Sequence, residues 1–468
     1  MTNKHRIILP YVISDFLSAS IVWLLFNWFR FNEIAIFYGF GTLKDYLSFL
    51  PVWGGQILIP FFWLSIYYFS GYYNEPAGKS RLTEFFQTFG SVLLGVLVLF
   101  FIVILNDLPR SFSVFYVLFF FLFVFQFLFT YIPRLIITLY GISKIRNKEW
   151  ALNVLIIGTG RKALKLSERL EALGYEVVGF VKENDTADIC VSPEKTIGSL
   201  GSGLDLIIES RQVHELVVAS ETADSDKLLK ILYPLFRFRL PIKMLPESVI
   251  VLTRVKVKTP IGVPLVDMTS SNFTPGEENI KHFIDKVVSA LVLILFFPLF
   301  AYLAFRVKKD SSGPIIFRQE RIGYMGKPFT IYKFRTMYIG AEKEQPLLSD
   351  EEDSRITPFG RFMRKYRLDE LPQFWNVLKG DMSLVGPRPE RRFFIDQIVE
   401  KAPYYLLMHN VRPGITSFGM VKYGYAKNVD EMIERLAYDV MYYENMSLLF
   451  DLKILLYTIR TVLTGKGI

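Results

Sequence analysis

Cysteine is almost missing from this 468-residue chain. Cys190 stands alone, which excludes a disulfide framework and a cluster of thiolate metal ligands. Histidine is nearly as scarce: His5, His214, His282 and His409 lie far apart, so a zinc site is not expected. No small-residue cleavage site follows the first apolar run, and that segment is expected to be retained. Acidic residues are outnumbered, 45 against 54 Lys and Arg, for a formal charge of +9. Apolar residues are what the chain has in excess, at 51% with 43 Phe, and its mean hydropathy is +0.30. Such a composition belongs to a membrane protein, where a basic excess marks cytoplasmic loops and anionic lipid, not nucleic acid. The length predicts two or three domains.

Four apolar runs have bilayer-spanning length, at residues 9–29, 49–69, 86–105 and 112–139. Lys4 and Arg6 precede the first, Lys79 and Arg81 separate the second from the third, and Arg134, Lys144, Arg146 and Lys148 close the fourth. The other two connections carry little positive charge, so both ends of this bundle, residues 1–143, are expected in the cytoplasm. Trp23, Trp28, Trp53 and Trp63 fall mostly near segment ends, as interfacial belts do. Asp15 also lies close to an end, and no ionisable pathway is expected inside the spans, which argues against a transporter.

Residues 153–160, Asn-Val-Leu-Ile-Ile-Gly-Thr-Gly, read as a buried parallel strand entering a glycine turn, with a helix over 161–173 behind it. Gly158, Gly160 and Ala163 make a Rossmann-like fingerprint whose last glycine is replaced. Strands at 177–181, 215–219 and 241–245 continue the pattern, which predicts a Rossmann-like α/β domain over 150–268. Two readings stay open there, nucleotide binding or a degenerate domain used for assembly or regulation. Lys182 favours the second, since a dinucleotide ribose prefers an acid near the end of that strand. Residues 269–280 read as a linker. The apolar run at 281–306 either spans or turns back, because Pro298 breaks its helix. Beyond it, Arg318 and Arg321 suit anionic headgroups, 347–355 reads as an acidic loop, and 435–443 and 448–463 as amphipathic helices in the interface.

The stretch 361–390, RFMRKYRLDELPQFWNVLKGDMSLVGPRPE, organises the rest. Asp369 and Glu370 precede Pro372, which suits the first position of a helix, and Gly380 is placed to end it. Arg361, Arg364, Lys365, Arg367 and Arg388 surround the two carboxylates, at a helix start that favours an anion. The plainer reading is an Asp369 helix cap beside a solvated basic face.

The words around that pair match a family. Lys333-Phe334-Arg335-Thr336-Met337, Arg364, Leu368-Asp369-Glu370-Leu371-Pro372-Gln373, Asn376-Val377, Lys379-Gly380-Asp381-Met382-Ser383, Val385-Gly386-Pro387-Arg388-Pro389 and Arg412-Pro413-Gly414-Ile415-Thr416 together resemble the bacterial sugar transferase family. Its members are monotopic phosphoglycosyl transferases that begin glycan assembly on a polyprenyl phosphate. Four spans, a soluble domain and then this module at 279–468 are similar to the family's long form. The resemblance implies a mixed α/β catalytic module with a re-entrant membrane helix kinked at Pro298. Phe297 stands before it where a small polar residue is common, and 416–420, Thr-Ser-Phe-Gly-Met, depart from the usual glycine and glutamine.

The same resemblance implies Asp369 as nucleophile on the donor's β-phosphorus, forming a phospho-sugar aspartyl intermediate and releasing UMP. Glu370 would bind metal or deprotonate the acceptor, and Mg²⁺ is expected on Asp369 and Glu370 because it neutralises diphosphate charge. Lys333, Arg335, Arg364, Pro387, Arg388 and Pro389 are the expected substrate contacts. A UDP-sugar, polyprenyl phosphate, membrane lipids and further copies in a homo-oligomer are the expected partners. The expected setting is the bacterial inner membrane, with the module facing the cytoplasm and feeding exopolysaccharide, capsule or O-antigen assembly. Two rivals belong to other classes. A membrane-anchored nucleotide-sugar dehydratase or epimerase needs a Tyr-x-x-x-Lys pair that does not follow the glycine turn, and a non-enzymatic scaffold leaves Asp369-Glu370 without a purpose.

Overall fold

The computed structural model of the chain describes residues 2–34, 39–74, 81–107, 111–150, 152–184, 189–201, 203–222, 224–245, 265–269, 272–340 and 353–464. Most of the expected acidic loop at 347–355 lies outside them. Among the described residues four helices are long and apolar enough to cross a membrane: Thr2–Glu33, Leu50–Phe69, Arg81–Ile102 and Phe112–Arg146. Leu9, Ile13, Leu17, Leu94 and Phe101 are exposed on their outer faces, while Tyr11, Phe26, Val96 and Leu122 pack inside. Gly95 lets the third helix close on the second, because a Cβ there would overlap the Trp63 ring.

The bundle corrects two expectations. Trp23 and Trp63 are buried in it and form no interfacial belt. Asp15 and Arg134 are not solvated flanking charges, for both are fully buried and joined by two hydrogen bonds of 2.8 Å. The Arg134 guanidinium also lies over the Tyr67 and Tyr72 rings, at 4.0 and 3.6 Å. Glu84, equally buried, accepts from the hydroxyls of Tyr72 at 2.5 Å, Thr138 at 3.2 Å and Thr88 at 3.3 Å. Three helices thus share an ionisable cluster that no single stretch of sequence displays.

Strands β1 (Asn153–Ile157), β2 (Glu176–Lys182), β3 (Thr196–Ser199), β4 (Glu215–Val218), β5 (Ile242–Met244) and β6 (Val266–Asp267) form one sheet in the order β3-β2-β1-β4-β5-β6. It is parallel through β5, and β6 runs antiparallel at the edge. Val154–Ile157 are completely buried because both faces of the sheet are covered. The expected linker after it ends early. Thr274 and Glu277 make a reciprocal capping box, and a helix begins at Pro275.

That helix, Pro275–Leu295, meets the helix Phe297–Asp310 at a 65° bend. Both arms pack on the same C-terminal module. On the first, Lys281 Nζ donates to Asp451 at 2.5 Å and to the Val385 carbonyl at 3.0 Å, and Asp285 accepts from the Ser383 hydroxyl at 2.6 Å. On the second, Leu303 and Val307 join Phe334 and Met363 in one apolar cluster. Between them Leu291, Ile294, Leu295, Phe296 and Phe297 are exposed, the apolar tip of this bent helix pair. Pro298 falls in the first turn of the second arm, where its missing N–H leaves no helical bond unmade. The pair's root touches the bundle: Asn279 Nδ2 donates to the Tyr68 carbonyl at 2.7 Å and to Asn74 Oδ1 at 2.9 Å.

The module itself carries an antiparallel hairpin, β7 (Ile316–Ile322) with β8 (Pro328–Phe334), and a parallel pair, β9 (Ser383–Val385) with β10 (Gly414–Thr416). Leu448–Leu463 exposes Leu449, Leu452, Leu456, Ile459 and Leu463, as an interfacial helix does. The helix Val429–Glu444 differs from its expected interfacial place: Arg435, Leu436, Asp439 and Tyr442 are buried in the module's core.

Candidate active site

Arg367 adopts a left-handed conformation, φ 52°, and the tight turn Leu368–Glu370 follows it. Asp369 and Glu370 are thereby buried, 8% and 4% exposed. The helix Gln373–Lys379 starts just after Pro372, and Gly380 at φ 87° ends it as expected. No side chain caps its start, so the plainer reading of Asp369 as a cap does not hold.

Glu370 is surrounded by cations. Lys333 Nζ donates to it at 2.8 Å, and Arg367 and Arg388 approach at 3.7 and 3.8 Å. Burial pushes its carboxyl up, but the three cations outweigh burial and hold it well below the usual carboxylate range. Asp369 goes the other way: burial raises it, Lys333 and Arg364 pull it back, and the Glu370 charge adds to a net rise. Two adjacent carboxyls are pushed apart, one a fixed anion and the other a carboxylate with less to stabilise it.

Asp369 lines a cavity of about 530 Å³. Among the described residues seven basic side chains line it too, against the carboxylates of Asp369 and Glu390, an excess that suits a ligand with several negative charges. Arg335 is prepared for such a ligand. Its Nη2 is held by the Ser311 carbonyl at 2.6 Å and hydroxyl at 3.0 Å, while Nε and Nη1 are buried with no acceptor among the described residues. A buried donor without a partner costs about 1–3 kcal/mol, which an arriving phosphate oxygen would offset. Gly313, at φ +125°, makes room for the guanidinium, since a Cβ there would overlap Nη1. Arg364 Nε donates to Thr336 Oγ1 at 2.9 Å.

Lys333, Arg335, Arg364, Asp369 and Arg388 thus line one cavity, with Glu370 bound to Lys333 at its wall. Pro387 and Pro389 are buried and do not line it. Their carbonyls accept from Gly414 N at 3.0 Å and Arg321 at 3.2 Å, so they fix the backbone that presents Arg388. Three residues were not foreseen here. Glu390 accepts from Arg435 at 2.7 Å and from Arg321 at 3.2 Å, and burial brings Arg321 down to about 10. Arg321 therefore faces the site and not lipid headgroups. Phe317, Gln319 and Arg321 all line the cavity at every second position of β7, a period-two signal present in the sequence.

The donor set fits magnesium only in company with a substrate. Among the described residues no group of three or more His, Cys, Asp or Glu gathers, yet Asp369 and Glu370 are adjacent oxygen donors. One or two carboxylates suffice for this ion when phosphate oxygens complete its shell.

The glycine turn of the sheet domain is arranged differently. Gly158, at φ +132°, lies so near the Ala219 carbonyl that a Cβ would come within 2.5 Å of it. Glu221, which follows β4 across the point where strand order reverses, accepts from Lys162 N at 2.7 Å. A carboxylate of the chain itself occupies the helix start that a pyrophosphate would use. That supports the reading of a degenerate domain.

Two family models match the chain, "Bacterial sugar transferase" over residues 276–465 and "CoA-binding domain" over residues 68–246. The chain is 44% identical over 188 residues to UDP-N-acetylgalactosamine-undecaprenyl-phosphate N-acetylgalactosaminephosphotransferase of Aeromonas hydrophila, covering 40% of this chain and 44% of that protein. It is 30% identical over 293 residues to UDP-glucose:undecaprenyl-phosphate glucose-1-phosphate transferase of Escherichia coli K12, covering 61% and 62%. A protein of the same description from Xanthomonas campestris is 30% identical over 329 residues, 67% of each chain. The chain thus spans 44% and 62% of the first two relatives and two thirds of the third.

Proposed function

Because the chain belongs to the bacterial sugar transferase family, we propose that it transfers a hexose-1-phosphate from a UDP-sugar to polyprenyl phosphate. The observation that carries this reading is the division of labour between Asp369 and Glu370 at the wall of a strongly cationic cavity. The relatives' named reactions agree with it.

A carboxylate oxygen of Asp369 attacks the β-phosphorus of the UDP-sugar; the bond to the bridging oxygen breaks, and UMP leaves with that electron pair. A phosphate oxygen of the polyprenyl acceptor then attacks the phosphorus of the aspartyl adduct, releasing polyprenyl-diphospho-sugar and restoring Asp369. Lys333, Arg335, Arg364 and Arg388 hold phosphate oxygens through both displacements. Glu370, a fixed anion, keeps Lys333 and Arg388 in place. Magnesium, held by Asp369 and Glu370 when bound, would neutralise diphosphate charge. Since UDP-sugars are cytoplasmic, the module faces the cytoplasm of a bacterial inner membrane, and its product begins exopolysaccharide, capsule or O-antigen assembly.

The test uses membrane fractions, polyprenyl phosphate and a panel of UDP-sugars, with UMP release as readout. One sugar should support release, and without acceptor a labelled sugar should remain on the protein. Asp369→Asn should abolish both while staying folded in the membrane. Turnover by that variant would overturn the assignment of the nucleophile.

A further inference from the structure

We propose that Tyr425 is a positioning residue for two arginines at the donor's diphosphate, a role that rests on the transfer reaction just given. Gly424, at φ +97°, turns the chain between the helices Phe418–Lys422 and Val429–Glu444, and Ala426 is buried on the other side. Between these two anchors Tyr425 lines the cavity. The guanidinium carbons of Arg367 and Arg388 each lie 5.3 Å from its ring centroid. These same arginines approach Glu370 at 3.7 and 3.8 Å. The ring and Glu370 are thus common to both arginines, while Arg388 alone also approaches Glu390, at 3.9 Å.

Glu370 alone cannot set the aim of both forks. Two guanidinium groups drawn to the same carboxylate repel each other, and that carboxylate fixes one edge of each without fixing the tilt of its plane. A ring beside both offers its negative face as a second fixed point, and the attraction grows where water is excluded. Arg367 Nε is buried with no hydrogen-bond acceptor among the described residues, so at that end the ring and Glu370 supply the orientation between them. Arg388 lines the cavity and carries the effect to the ligand.

Steady-state kinetics on the full-length protein in membranes test the role. Tyr425→Leu should lower kcat/KM for the UDP-sugar roughly tenfold or more. Tyr425→Phe, which keeps the ring, should recover most of that loss. Arg388→Lys removes the planar fork, so adding Tyr425→Leu to it should cost less than about threefold further. Tyr425→Met replaces the Leu variant in every comparison should the latter melt early. An unchanged kcat/KM in the variant lacking the ring, an equal loss in the Phe variant, or an undiminished loss beside Arg388→Lys would each overturn the proposal. A parent protein that releases no UMP from any UDP-sugar would instead overturn the reaction on which it rests.

Discussion

The glycine turn at Gly158 and the cavity at Asp369 both have the makings of a phosphate site, and they differ in who supplies the anion. At the turn, Glu221 already accepts from the backbone at the start of the helix Arg161–Ala172. At the cavity, among the described residues, Arg335 keeps two buried donors without an acceptor, and the basic side chains outnumber the acidic ones. A fingerprint specifies a backbone shape. Binding depends on what that shape leaves unsatisfied, and here the motif with the more familiar spacing is the one already filled.

After Asp369 itself, the largest effect is expected at Glu370. Glu370→Gln removes the charge shared by Lys333, Arg367 and Arg388, and kcat should fall on the order of a hundredfold. Near-normal turnover would erase the difference between the two acids. Next comes Arg335→Lys, which should lower kcat/KM for the UDP-sugar about tenfold, since an ammonium cannot replace both unsatisfied donors. The pH profile sharpens the contrast further. Asp369 must be ionised to attack, and its carboxyl is raised by burial, so kcat/KM should fall as pH drops, beginning above the range of an ordinary aspartate. A profile flat down to that ordinary range would contradict the raised carboxyl. The smallest effect belongs to the turn: Glu221→Ala should leave transfer unchanged and cost about 1 kcal/mol of stability, read by melting. Saturable binding of CoA or ADP by the parent protein in calorimetry would break the comparison outright.

Much of this organisation was legible in the chain. Long apolar runs announce the four spans because crossing a bilayer demands length, and Asn153–Gly160 announces its strand and turn because both faces are covered. Asp369 and Glu370 stand in contiguous words, and contiguity is what sequence displays best. The Asp15–Arg134 pair stayed hidden, since its halves come from different helices and look like flanking charges. Glu390, Arg321 and Arg435 were missed for a similar reason: three distant elements bring them together, and only the alternation along β7 hinted at it. The helix Val429–Glu444 misled because its apolar face covers a core and not a membrane.

The ion pair in the bundle also bears on how the protein is made. Asp15 leaves the ribosome 119 residues before Arg134, an interval on the order of ten seconds during synthesis. Until then the first helix carries a carboxylate with no counter-charge, and Glu84 joins it in the same predicament. A lone charge costs up to about 3 kcal/mol at the centre of a membrane helix on insertion scales and less toward its end, so the early helices still gain by lingering beside the insertion machinery until the fourth arrives. Arg134 is then the closing piece, and Arg134→Leu should shorten the lifetime of newly made chains in a pulse-chase experiment before it slows the chemistry of those that survive.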